Sequence, residues 1–162
     1  MMHPRAERLI ELLNLEPHPE GGYFGELYRS ELTVLPTDGR QSRAALSSIY
    51  FMLIEGIHDR WHRVRSDEAW HYYEGAPLEL TWVEADLTTC TRHRLGPVEE
   101  DQSPVCVVPA HCWQAAQTTG TYSLVGCTVG PGFDYEDFEI LRAQPGEAAA
   151  FRREFPKLAR LL

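Results

Sequence analysis

The stretch GIHDRWHRVRSDEAWHYYEG, from Gly56 to Gly75, decides how this chain folds. It holds imidazoles, a carboxylate and aromatic rings in two strand-like runs that are separated by a bend. Side chains alternate along a strand, so Glu68, Trp70 and Tyr72 share one face of the second run, whereas His71 lies on the opposite face. A site built on this stretch is expected to use the face that carries Glu68.

The composition describes one ordinary folded domain. The chain has 162 residues, 43% of them hydrophobic and 24% charged, which is enough for a single core. A net charge of −9 argues against nucleic-acid binding, which needs clustered Lys and Arg. Because no segment approaches the roughly 20 apolar residues of a membrane helix, no membrane partner is expected either.

The compartment is inferred from the N-terminus and the cysteines. The first residues carry charges through their only apolar stretch and show no cleavage site, so they do not resemble a secretory signal. Cys90, Cys106, Cys112 and Cys127 form no C-x-x-C pair and are expected to be reduced and buried. These features predict a cytoplasmic protein.

Strand signals dominate the rest of the chain. Besides the two strands of Gly56 to Gly75, strands are predicted at about residues 23–31, 45–54, 78–84, 105–108 and 122–129, and the first places Phe24, Glu26 and Tyr28 on one face. Helices are predicted only at the two ends, over residues 3–15 and from about Glu147. This pattern predicts a single all-β domain over residues 1–162, a sandwich or barrel.

The C-terminal helix carries an apolar stripe that is expected to pack on the sheet or on a partner chain. Its members are Phe151, Phe155, Leu158, Ala159 and Leu162, with a kink or break expected at Pro156.

Within the opening stretch, the spacing Gly56-x5-His62-x-Val64-x3-Glu68-x6-Gly75 resembles the first motif of the cupin superfamily. That motif consists of a glycine, His-x-His, a glutamate and a second glycine. Val64 stands where the family has its second histidine.

A later stretch, VPAHCWQ, resembles the second cupin motif. Gln114 stands at the position of the family's third histidine, and His111 stands where a glycine is usual. With PHPEGGYF, SSIYFML and LVGCTV-PGFDYEDFE, these motifs resemble the fifth cupin family over about residues 9–141. That family is known as a domain of unknown function and is structurally similar to dTDP-sugar 3,5-epimerases.

The resemblance implies a double-stranded β-helix, the cupin jelly-roll barrel, at about residues 20–142, with a short helix at the N-terminus and a helical segment at about 146–162. It also implies a homodimer, because the N-terminal strand and the C-terminal helix offer surfaces that a lone barrel would leave uncovered.

Two kinds of chemistry follow from the resemblance. In cupins the motif histidines and glutamate bind a metal, so His62, Glu68 and the amide oxygen of Gln114 are the candidate ligands of a divalent transition metal here. In the related epimerases a cavity histidine acts without metal, which suggests His62 as base, Glu68 as polarising group and Tyr72 as acid.

The expected ligand is a small carbohydrate-like or carbonyl metabolite, since aromatic faces with polar tips suit such molecules. The predicted lining residues are Phe24, Glu26, Tyr50, Trp70, Trp113 and Gln114. Three functions stay open: an isomerase or epimerase, a binding module without turnover, and a weak metal-dependent cupin with dioxygenase-like chemistry.

Overall fold

The computed structural model describes residues 2–162, which form two α-helices and thirteen strands. The helices are α1 (Pro4–Leu13) and α2 (Pro145–Glu154). The strands are β1 (Glu16–Pro17), β2 (Tyr23–Arg29), β3 (Thr33–Val34), β4 (Arg43–Ala44), β5 (Ser47–Ile54), β6 (His58–Val64), β7 (Asp67–Gly75), β8 (Leu78–Val83), β9 (Cys90–Leu95), β10 (Val105–Val108), β11 (Trp113–Thr118), β12 (Tyr122–Gly130) and β13 (Phe138–Ile140).

The strands form two main sheets that face each other. The first sheet has the order β1-β2-β5-β12-β7-β10 and the second has the order β13-β6-β11-β8-β9, with antiparallel pairing throughout both. Strands β3 and β4 form a separate pair. Neighbours that are distant in sequence, such as β5 and β12, are typical of a jelly roll, so the predicted all-β fold is confirmed.

Apolar side chains from both sheets fill the space between them. Phe51, Trp70, Leu80 and Val125 are all at most 3% exposed in this central core. β5, with the sequence SSIYFMLI, is buried along most of its length because α1 packs on the outer side of the first sheet. This is why its apolar run was nearly continuous rather than alternating.

The C-terminal stripe packs on the second sheet of the same chain. Phe151 of α2 lies against Trp61 of β6, with ring centroids 4.8 Å apart, and Phe155, Leu158 and Leu162 border the same cluster. The helix ends at Glu154 and a short 3-10 turn follows at Ala159–Leu161, consistent with the break expected at Pro156. The homodimer stays a prediction and no longer draws support from this helix.

Three strands of the second sheet, β9, β11 and the short β13, were not among the predicted ones. β11 contains small and polar residues, and β9 alternates charged and polar residues, so neither has a strong apolar signal. No helix among residues 2–162 is long and apolar enough to cross a membrane. The four cysteines are free thiols; Cys112 and Cys127 are buried as expected, whereas Cys90 is exposed.

Gly75 shows why the first motif ends in glycine. Its φ is +96°, and a Cβ atom there would collide with the carbonyl oxygen of Tyr122. Both features require glycine, which lets β7 end beside β12.

Candidate functional site

A cavity of about 140 Å³ lies between the two sheets near one end of the barrel. Most of its wall is apolar and aromatic, whereas its polar side chains are carboxylates, imidazoles, one guanidinium and the hydroxyl groups of Ser47 and Tyr135. The lining residues used below are His18, Phe24, Glu26, Arg29, Phe51, Asp59, His62, Val64, Glu68, Trp70, Cys127, Phe133, Tyr135 and Phe138.

A β-bulge in β6 brings Asp59 to the cavity. Gln114 of β11 pairs with His62 of β6, but Ala116, two residues further on, pairs with Asp59, three residues back. The extra residue in β6 turns the strand, so that Asp59 and His62 both line the cavity. Regular alternation would have placed Asp59 on the opposite face, and for this reason the sequence did not identify it.

Gln114 joins the two predicted site residues in one hydrogen-bond network. Its Oε1 accepts a hydrogen bond from the indole Nε1 of Trp70 at 3.1 Å, and an indole nitrogen can only donate. The amide orientation is thereby fixed, and the Nε2 group of Gln114 donates to Oε2 of Glu68 and, at 3.2 Å, to Nε2 of His62. Gln114 is 1% exposed, so this network is sealed in the core.

The hydrogen-bond partners also determine the tautomer of His62. Its Nε2 accepts from Gln114, so the proton of the neutral ring is on Nδ1, which donates to the carbonyl oxygen of Arg60 at 2.7 Å. Burial lowers the pKa of His62, but the negative charges of Asp59 and Glu68 more than offset this and raise it overall. Protonation of Nε2 requires the Gln114 amide to turn away.

Asp59 is the least satisfied polar group of the cavity. Its carboxylate is 2% exposed, and Oδ1 has no hydrogen-bond partner within residues 2–162. Oδ1 lies 3.5 Å from Nδ1 of His62, whose hydrogen is directed to Arg60 instead. Burial, together with the nearby charges of Glu68 and Glu20, raises the pKa of Asp59 to about 7 even though His62 opposes this rise.

The Pro- and Gly-rich segment PHPEGG contributes two further polar groups, the half-buried His18 and the buried Glu20. His18 lines the cavity with its ring edge-on to Phe24 and Phe51, at centroid distances of 5.0 and 5.4 Å. Its Nδ1 accepts from the backbone N–H of Glu20, and burial, with the charge of His62, lowers its pKa to about 4. The ring is therefore neutral near pH 7, with its proton on Nε2. Glu20 is 2% exposed, and its Oε2 has no partner within the described chain.

The mouth of the cavity combines aromatic rings with one ion pair. Phe133, Tyr135 and Phe138 contact one another edge-on, and Phe138 also packs on the ring of His62 at 5.4 Å. Arg29 donates to Glu26 at 2.9 Å and to the carbonyl oxygen of Phe133.

A second bulge, in β2, explains this position of Arg29. Glu26 pairs with Ile49, and Tyr28 pairs with the adjacent Ser48, so the residue between them is extra. Arg29 consequently lines the cavity beside Glu26, whereas Tyr28, predicted to share that face, is 53% exposed.

The donor set does not fit a divalent metal. The amide oxygen of Gln114, the third predicted ligand, is used by Trp70, and the Gln114 Nε2 group occupies the space between His62 and Glu68 with hydrogens. Among the described residues no three His, Cys, Asp or Glu side chains are grouped to hold an ion. Since metal ligands must present lone pairs, the expected site at His62, Glu68 and Gln114 is not formed in this geometry.

Three other predicted residues lie away from the cavity. Trp113 is fully buried on the outer side of the second sheet, where the guanidinium of Arg63 covers its ring at 4.2 Å. Tyr50 packs against Tyr73 on the α1 side of the first sheet. Tyr72 borders the central core, but its hydroxyl donates to the carbonyl oxygen of Gly75 at 2.6 Å, which does not suit the acid predicted for it.

The remaining predicted residues do meet at the cavity. Phe24, Glu26, His62, Glu68 and Trp70 line it, and Gln114 lies directly behind His62 and Glu68. The two other histidines of the motifs do not take part: His111 is exposed in a turn, and His71 lies opposite Val105 on β10 and does not line the cavity.

Comparison with protein families identifies the chain by sequence. The family described as Cupin superfamily (DUF985) matches residues 7–141, which is most of the chain. No curated protein matches the sequence significantly.

Solved structures extend this similarity to the fold. A hypothetical protein from Leishmania major is 33% identical, with a TM-score of 0.84, over 96% of this chain and 95% of that one. A protein from Shewanella oneidensis is 32% identical, with a TM-score of 0.81, over 96% and 93%. A cupin 2 conserved barrel domain protein from Rhodopseudomonas palustris, 14% identical over 91% and 84%, shares the fold with a TM-score of 0.57.

Proposed function

The chain belongs to the cupin superfamily, in the family described as DUF985, and on that premise we propose a function for its cavity. The cavity binds a small hydroxyl- or carbonyl-bearing metabolite, and the cluster of Asp59, His62 and Glu68 exchanges a proton with it, as an isomerase or epimerase does. The fold alone does not specify this activity, because jelly rolls host many chemistries. The proposal therefore depends on the side chains.

The raised pKa and the unpartnered oxygen of Asp59 are the observations that support the proposal most directly. A carboxyl group with a pKa of about 7 is present in both protonation states near neutral pH, which suits a general acid or base. Its unpartnered Oδ1 lacks the donor that buried oxygen atoms normally have. A ligand in the cavity supplies that donor.

The proposed step is proton abstraction next to a carbonyl group. The C–H bond of the ligand breaks, its proton moves to the second carboxylate oxygen of Asp59, Oδ2, while Oδ1 accepts the ligand's hydrogen bond, and the electron pair is delocalised onto the carbonyl oxygen as an enolate. The proton on Asp59 then exchanges with solvent, and delivery of a solvent-derived proton to the carbon completes the exchange, or inverts that centre when it arrives on the opposite face. His62 and Glu68, held by Gln114, fix the position and the charge of Asp59.

Solvent-deuterium exchange tests this step. The protein is incubated in D₂O with dihydroxyacetone, glyceraldehyde and short aldoses and ketoses, and loss of the proton beside the carbonyl is followed by NMR. We expect exchange that falls about 100-fold or more in Asp59→Asn, since general acid–base catalysis contributes at least that much. The exposed carboxylate of Asp101 provides a control, Asp101→Asn. Equal exchange rates in Asp59→Asn and wild type would contradict the role of Asp59.

A binding module without turnover is the second candidate, and one observation favours it. Both nitrogens of His62 already have hydrogen-bond partners, so the ring offers no free lone pair to a substrate. In that case compounds of the same panel bind in the cavity and change the tryptophan fluorescence, to which Trp70 of the cavity wall contributes, with no deuterium incorporation in wild type.

A further inference from the structure

The inner end of the cavity holds more carboxylates than basic groups, since among the described residues His62 is the one basic side chain there with a raised pKa. Asp59 and Glu68 line the cavity, and Glu20 is buried close enough for its charge to raise the pKa of Asp59. The one guanidinium among the lining residues, Arg29, lies at the mouth, where Glu26 and the carbonyl oxygen of Phe133 use its donors. Within residues 2–162, no Lys or Arg faces these inner carboxylates in the cavity lining.

The unpartnered atoms of the described chain are of one kind. Two buried side-chain oxygen or nitrogen atoms lack a hydrogen-bond partner, Oδ1 of Asp59 and Oε2 of Glu20, and both are carboxylate oxygens. Both residues are 2% exposed. Buried polar atoms rarely lack partners, so we expect these two carboxylate oxygens to accept hydrogen bonds from a donor that is not part of the described chain.

The cavity wall suits an organic cation better than an inorganic ion. Phe24, Phe51, Trp70 and Phe138 surround the carboxylates, and the faces of aromatic rings attract positive charge. A metal ion needs at least three converging donors, and the described residues offer no such group. The volume of about 140 Å³ matches a group the size of benzene, while a larger ligand extends through the mouth.

We propose that the ligand of this cavity carries a protonated primary amine, and that Asp59 binds the ammonium group at the inner end while the aromatic wall encloses the attached carbon skeleton. This inference rests on the proposed function, because it names the class of ligand for the same cavity. Among hydroxyl- and carbonyl-bearing metabolites it selects the amino-substituted ones.

The charge balance gives this binding a definite pH dependence. The groups around Asp59 are His62 on its own strand, Glu68 on β7, Cys127 on β12, and His18 and Glu20 from the segment before β2. An ammonium group competes with the proton of Asp59, whose pKa is about 7. Affinity for an amine therefore rises about tenfold per pH unit below pH 7 and levels off above it. A neutral ligand lacks this steep rise.

Benzylamine and benzyl alcohol form a matched pair of probes, because they share one skeleton and differ in the ammonium group. Isothermal titration calorimetry at pH 6, 7 and 8 measures both. We expect benzylamine to bind at least tenfold more tightly than benzyl alcohol at pH 8, with its advantage reduced at pH 6 and proton release on binding. In Asp59→Asn the advantage should disappear while the affinity for benzyl alcohol is retained, and Asp101→Asn should behave like wild type.

Each other result overturns the proposal in a distinguishable way. Equal or tighter binding of benzyl alcohol shows that the cavity binds neutral molecules. In that case the proposal of an amine ligand is wrong, whereas the proposed function is unaffected. If neither probe nor any metabolite of the deuterium-exchange panel binds, both proposals fail. Zinc chloride that displaces benzylamine only when Asp59 is present would identify an inorganic cation site instead. Glu20→Gln, with an expected loss of affinity smaller than that of Asp59→Asn, provides a second variant should Asp59→Asn fold poorly.

Discussion

Two groups of buried charged side chains in this protein differ in how their polar atoms are satisfied. In the first, Arg40 and Arg43 donate to Asp137 at 2.9 to 3.0 Å, and all three side chains are at most 6% exposed. In the second, Asp59 lines the cavity with an unpartnered oxygen.

The contrast separates a structural role from a functional one. The first group links the loop before β4 to the segment before β13 and so fixes the mouth of the cavity. Burial alone would raise the pKa of Asp137, yet the hydrogen bonds from Arg43 and Arg40 lower it overall, whereas that of Asp59 is raised to about 7. A strongly perturbed titratable group without partners in a cavity points to a function.

Removing the central acid of the paired group should produce the largest change in stability. Asp137→Ala removes the buried carboxylate that both guanidinium groups share and leaves them only the more exposed Asp38 and Glu136. Breaking a buried ion pair in this way costs about 3–5 kcal/mol. Urea denaturation measures the free energy of unfolding. Glu154→Ala removes a carboxylate from an exposed pair with Arg153 and should cost less than about 1 kcal/mol. Equal effects of the two substitutions would show that the Asp137 group does not stabilise the fold.

Asp59→Asn, which removes the charge of the unpartnered acid, should instead increase the free energy of unfolding. The pKa of Asp59 is 3.8 in the reference state and about 7 in the folded protein, so the folded state binds more protons between these values and wild type loses stability as pH rises from about 4 to 7. Asp59→Asn does not lose stability in this way, because its side chain at this position does not titrate. We expect its stability relative to wild type to increase from near zero at pH 4 to about 4 kcal/mol at most at pH 8.

Chemical denaturation across this pH range checks the prediction about Asp59. Most titrating groups behave alike in both proteins, and the exception is His62, whose pKa is lower without the charge of Asp59. A variant less stable than wild type at pH 8 would mean that the carboxylate has a stabilising partner, and the contrast with Asp137 would be lost.

The sequence identified the part of the site that obeys a motif. The spacing from Gly56 to Gly75 predicted that His62 and Glu68 would share the barrel interior, and strand alternation correctly added Trp70. The strands themselves were predicted wherever a β-branched or aromatic pattern was strong. Family resemblance supplied the jelly-roll topology, which local patterns could not have determined.

The rest of the site depends on tertiary structure. Asp59 reaches the cavity through a bulge that breaks the alternation on which the prediction relied. Glu20 lies in the Pro- and Gly-rich segment PHPEGG, where no local pattern indicates burial, yet the fold buries it. Trp113 was predicted to line the cavity and does not, because α2 covers the outer face of β11 and creates a second apolar environment there. No local pattern distinguishes these two faces.

Gln114 tests the comparison with the smallest expected effect. Its amide hydrogen-bonds to His62 and Glu68 of the cavity, as Asp137 hydrogen-bonds to Arg40 and Arg43 in the paired group. In wild type, ¹⁵N NMR of the imidazole should show the Nδ1–H tautomer of His62. Gln114→Leu removes the donor at Nε2, so the charges of Asp59 and Glu68 can stabilise a proton there, and the pKa of His62 should rise further above that in wild type. Loss of the buried hydrogen bonds should cost about 1–3 kcal/mol of stability.

Gln117→Leu, on the same strand but bonded to Glu79, is the matched control and should leave the titration of His62 unchanged. Identical titrations in wild type and Gln114→Leu would mean that the amide does not control the protonation of His62, and that the network beside Asp59 only supports the fold.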